Sequence, residues 1–62
     1  MSRYEVVYFG AFFSNDKEDK YNSYPARNWN DAYDFWNTIK QDFPGSYIKD
    51  NYEDMCFDGE WY

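Results

Sequence analysis

A chain of 62 residues with one cysteine and no histidine has no staple to hold it together. The lone thiol, Cys56, closes no disulfide within the chain, and a zinc site without histidine loses its commonest nitrogen ligand. Chains this short bury only about 60 % of the surface that their unfolded form exposes. Large side chains must therefore supply the core. Here 27 % of the residues are Phe, Trp or Tyr, each able to bury about 150 to 250 Å². Leucine, ordinarily among the commonest residues, is absent.

The order of these aromatics along the chain predicts the elements. Residues 3–13 are β-branched and aromatic with one glycine, Gly10, and read as a strand. Side chains alternate across a strand, so Tyr4, Val6, Tyr8 and Phe12 share one face and Glu5, Val7, Phe9, Ala11 and Phe13 the other. Neither set is polar, and a strand apolar on both faces expects cover on both. Residues 14–25 are polar, mixed in charge and without period, and read as a loop whose only aromatics are Tyr21 and Tyr24. Asn28, followed three residues later by Asp31, has the form of a helix start, a short polar cap with an acid near the positive end. From Trp29 to about Asp42, Trp29, Ala32, Tyr33, Trp36, Ile39 and Phe43 recur at three- and four-residue intervals and make one apolar stripe. Pro44 and Gly45 stop the helix. Residues 46–49 then read as a strand. Residues 55–57 and 60–62 read as a hairpin about Asp58-Gly59, or as one bent strand. The expected fold is α+β: a single domain over residues 1–62, with a small antiparallel sheet of three to four strands and one helix packed across it in the order βαββ.

The residue types leave little room for catalysis. Cys56 has no histidine to activate it and reads as a small hydrophobe in a strand. Paired carboxylates need a cleft to hold them apart, and a domain of this size rarely encloses one, so no enzymatic activity is expected. The segment Asp50-Asn51-Tyr52-Glu53-Asp54 begins like a calcium loop, but Met55 stands where such a loop needs glycine. Phosphate-binding and dinucleotide patterns are absent, and no metal or cofactor is expected.

A formal net charge of −6 argues against direct binding of DNA, RNA or an anionic membrane. No stretch approaches the roughly 20 apolar residues of a membrane span, and no charged-then-apolar leader opens the sequence. A cytoplasmic protein is expected, in keeping with one unpaired cysteine.

Acid concentrates towards the carboxyl-terminal third: Asp50, Glu53, Asp54, Asp58 and Glu60, opposed only by Lys49 and interleaved with Tyr52, Phe57, Trp61 and Tyr62. The helix adds Asp31, Asp34 and Asp42 on its polar side. Aromatic residues are enriched where proteins meet, and spaced carboxylates imitate a phosphate backbone for a protein built to hold one. The expected partner-binding residues are Asp31, Asp34, Asp50, Tyr52, Glu53, Asp54, Asp58 and Glu60. The plainer account of the same acids is solvated charge that keeps an aromatic-rich domain dispersed. Asn, Asp, Tyr, Phe and Lys fill the place of leucine, a bias that suits the AT-rich genome of a small virus or mobile element. Phage-encoded inhibitors of CRISPR or restriction systems have a similar size and charge. The functional expectation is thus a non-enzymatic module that binds a protein, occupying the basic groove of a nucleic-acid-handling complex. The alternative is a homo-oligomeric structural domain, a homodimer joined through the strand with two apolar faces.

Overall fold

The computed structural model describes residues 2–62. Five elements follow in order: β1 (Tyr4–Phe9), β2 (Tyr21–Ala26), α1 (Trp29–Ile39), β3 (Tyr47–Asp50) and β4 (Met55–Phe57). The strands form one antiparallel sheet in the order β2-β1-β3-β4, with α1 packed across it. The fold is thus the small α+β arrangement expected, with four strands. Two antiparallel hairpins, β1–β2 and β3–β4, flank the helix, whose crossover passes over β1 to reach its far side.

The order is ββαββ, one strand more ahead of the helix than βαββ, because residues 21–26 lie in the segment read as loop. Asn22, Ser23 and Pro25 hide this strand from a propensity reading. As an edge strand β2 meets only β1, so Pro25, which has no amide hydrogen to offer a ladder, is tolerated there. The Asn22 amide gathers the preceding loop, donating to the carbonyls of Gly10 at 2.9 Å and Lys17 at 2.9 Å.

The core lies between the helix and one face of the sheet. On β1, Val6 and Tyr8 are fully buried. Val6 stands opposite Tyr24 of β2 and Ile48 of β3, and Ile48 opposite Phe57 of β4, so one row crosses the whole sheet. The apolar stripe of α1 meets this row with Ala32, Trp36 and Ile39. Trp36 Nε1–H donates to the Ser46 carbonyl at 3.2 Å, which satisfies the one polar atom of the largest core side chain. Flanking this centre, Tyr24 stacks on Phe35 at 4.1 Å and Trp29 on Trp61 at 5.3 Å.

Both helix ends have local causes. Asn28 is extended and its side chain accepts the Asp31 amide at 2.9 Å, the expected cap. At the other end α1 stops at Ile39, ahead of the expected Asp42. The chain there turns to bring Phe43 against Tyr8, 5.3 Å between ring centres, and Pro44 disfavours helical geometry at the residue before it.

Beyond Phe9 the expected strand ends. Gly10 has φ +114°, a region that side chains with a Cβ rarely enter, and a Cβ added there would lie 3.2 Å from the Phe43 ring. Gly10→Ala is expected to cost about 1 to 3 kcal/mol, read as a lower denaturant midpoint at unchanged slope. A midpoint equal to that of the parent would show that the turn relaxes freely.

Candidate functional site

Three carboxylates fix the fold. Asp50 is only 3 % exposed. Its two oxygens meet Arg3 Nε and Nη2 at 3.1 Å each, and Oδ1 also accepts the amides of Tyr52 at 2.9 Å and Glu53 at 3.2 Å. The Arg3 guanidinium, aided by these amides, holds the Asp50 carboxyl below the usual range despite burial. Arg3 also lies over the rings of Tyr4, at 5.0 Å, and Tyr52, at 4.9 Å. Asp31 accepts the Arg27 amide at 3.1 Å and the Tyr24 hydroxyl at 3.1 Å, bonds that lower its pKa. Asp16, which sequence reasoning passed over, takes the Tyr8 hydroxyl at 2.6 Å and the amides of Phe12 and Phe13 at 3.0 and 2.9 Å on a single oxygen. Burial, and after it the same contact, raises the Tyr8 hydroxyl far above its ordinary value.

Asp31 and Asp50, both expected on a binding surface, are therefore committed within the fold. Asp50 could have been placed from its register: it follows Ile48 by two residues, so it shares the inward face, and an acid there needs a partner. Asp16 carried no such signal.

The other expected residues are exposed but do not form one continuous acidic face. Asp34 stands on the solvent side of α1. Tyr52, Glu53 and Asp54 make the turn between β3 and β4, where Asp54 adopts φ 55° and meets Lys49 Nζ at 3.0 Å. Asp58 and Glu60 lie at the other end of β4, about 10 Å along a three-residue strand. There the chain reverses about Gly59, φ +110°, and Trp61 bridges back to Phe57. This is the expected hairpin in reduced form, with Cys56 and Tyr62 exchanging backbone hydrogen bonds at 2.8 Å.

One concavity links these parts. An open groove of about 380 Å³ is lined by Arg3, Tyr4, Asp50, Glu53, Met55 and Trp61. Trp61, 44 % exposed, stacks on Trp29; Met55, which lines the groove with it, and Tyr33, which packs on the same Trp29, are exposed as well. Among the described residues, Glu53, Asp58 and Glu60 have no side-chain hydrogen bond or ion pair, while the Arg3 charge is matched by Asp50. The groove is thus an aromatic floor with one unmatched carboxylate, and further acids adjoin it along the chain.

Among the described residues no three metal-ligating side chains are grouped, and no helix is long and apolar enough to cross a membrane. No family model matches the chain, and neither a curated protein nor a solved structure matches it.

Proposed function

We propose that this domain is a protein-binding module that occupies the basic, nucleic-acid-binding surface of another protein, as an inhibitor of the anti-defence kind that phage and mobile elements encode. The observation that carries this reading is the exposed Trp61 and Met55 beside Glu53, with the unmatched Asp58 and Glu60 next to them in the chain. Desolvated aromatic side chains serve as anchors in interfaces. Carboxylates around them steer the domain to a basic groove and hold its register there. Asp31 and Asp50 belong to the scaffold in this reading, Asp50 holding Arg3 in the groove wall. Such a domain acts in the cytoplasm, where the Cys56 thiol stays reduced.

The test is competition with nucleic acid. Purified nucleases and DNA-binding subunits of defence systems are loaded with labelled DNA or RNA and challenged with the domain at low and high salt. Displacement that weakens as salt rises is the expected result. The triple variant Glu53→Lys, Asp58→Lys, Glu60→Lys should fold and bind about 100-fold more weakly or worse, and Trp61→Ala about 30-fold more weakly. A partner that binds the domain and its nucleic acid together, or that ignores the triple reversal, would remove the groove-blocking account.

A further inference from the structure

The lining of the groove beside Trp61 selects a particular side chain. Arg3 and Asp50 both belong to it and cancel, since Asp50 meets Arg3 Nε and Nη2 at 3.1 Å each. Glu53 lines it too, is exposed, and has no side-chain hydrogen bond or ion pair among the described residues. The nearby Lys49 amine is taken by Asp54 at 3.0 Å. One negative charge is thus left over. Its backbone is held in place, because the Glu53 amide donates to Asp50 Oδ1 at 3.2 Å. The aromatic part is braced as well. Trp29 stacks on Trp61 at 5.3 Å and meets Tyr4 edge to face at 5.5 Å, yet Trp61 remains 44 % exposed. An open indole supported from behind, in one groove with a lone carboxylate, is the chemistry that recognises a cation.

We propose that the groove receives a single arginine side chain from the basic surface that the domain occupies, its guanidinium lying on Trp61 and pairing with Glu53. This deepens the groove-blocking reading and rests on it. The charge excludes other occupants. An anion meets Glu53 with the wrong sign, and an apolar side chain leaves that carboxylate covered and unpaired. Between the two long cations, the guanidinium is planar, stacks on aromatic rings and holds its water less tightly than an ammonium, so an open groove desolvates it at lower cost. The chain contains the same arrangement within itself: Arg3 lies over the rings of Tyr4 and Tyr52 at 5.0 and 4.9 Å while Asp50 takes its nitrogens.

The test is a nuclear magnetic resonance titration of the full chain with N-acetyl-argininamide, its citrulline analogue, which has the same shape without the charge, and N-acetyl-lysinamide, all at matched ionic strength. The arginine compound should shift the Trp61 indole N–H and the Glu53 amide, half-saturating at about 10 to 100 mM, as one exposed contact allows. The citrulline compound should bind about 5-fold more weakly or worse, and the lysine compound about 3-fold more weakly. Glu53→Gln should weaken the arginine response about 5-fold, while Asp58→Asn, outside the lining, should leave it unchanged. No shift at Trp61 overturns the inference, as does an equal response to citrulline or to lysine. So does an equal loss in Asp58→Asn, which would mean diffuse attraction to the whole acidic chain. Displacement of nucleic acid from a partner without any response to the arginine compound would sink this contact and leave the groove-blocking reading standing. A response confined to Trp61 and Glu53 without displacement from any partner would support the arginine contact and remove that reading.

Discussion

Trp36→Ala is expected to leave the domain largely unfolded at room temperature. Trp36 is the largest side chain on the buried stripe of the only helix among the described residues, it packs edge to face on Phe57, and its Nε1–H satisfies the Ser46 carbonyl. Removing an aromatic of this kind costs about 3 to 5 kcal/mol. A chain of this length has about 3 to 9 kcal/mol of stability in all, at roughly 0.05 to 0.15 kcal/mol per residue. The loss therefore matches most of what is available. Circular dichroism with heating would show it as a missing or greatly lowered cooperative transition. Trp36→Phe keeps an aromatic ring there but forfeits the hydrogen bond and part of the indole's packing, so it should lose less than Trp36→Ala, about 1 to 3 kcal/mol, and still fold. A cooperative transition in Trp36→Ala near that of the parent would mean that the helix does not depend on this contact.

The second large effect is acid unfolding. Asp16, Asp31 and Asp50 all have carboxyls held below their ordinary value of 3.8 in the folded chain, through hydrogen bonds that the unfolded chain lacks. A depressed folded value means that the unfolded state takes up protons first as pH falls. The stabilisation is whole above the unfolded value, and it is lost as pH falls below about 4 and through the folded values. Tyr8 has the opposite sign: its raised hydroxyl contributes below the ordinary value of 10.0, and that share is lost as pH rises above it. A plateau between these limits with a steep acid edge is expected from denaturant midpoints measured across pH. In Asp50→Asn the plateau should fall and the acid edge become shallower, since one of the three carboxylates no longer titrates. An acid edge of undiminished steepness would show that other groups carry it.

How far the residues alone disclose this molecule differs from part to part. The helix was legible because burial imposes a period: Ala32, Trp36 and Ile39 recur at the spacing that one covered face demands, and Asn28 caps them. Strand β1 was legible through its β-branched and aromatic run as far as Phe9. Past Gly10 the same run misleads, since Phe12 and Phe13 leave the sheet and pack on Phe35. Strand β2 was hidden because an edge strand answers to one neighbour and tolerates Asn, Ser and Pro, and its register comes from β1. The acids were least legible of all. Asp50 and Asp58 are the same residue type eight positions apart, yet one is buried under a guanidinium and the other exposed, a difference set by tertiary register and not by composition.

The placement of β1 has a consequence for the chain's biosynthesis. This strand holds a central position in the sheet, and its second neighbour, β3, begins at Tyr47. Arg3 meets its counter-ion 47 residues later at Asp50, and the Arg3 carbonyl waits for the Asn51 amide. The emerging polypeptide thus makes its middle strand early and lacks half of that strand's partners until most of the domain has left the ribosome. A β1–β2 hairpin alone is marginal in water, so a nascent chain that stalls before Tyr47 exposes Val6 and Tyr8 without a lid on one flank. Distant pairing of this kind slows folding relative to domains built from local contacts. A fragment released before residue 47 should therefore aggregate where the full-length chain does not.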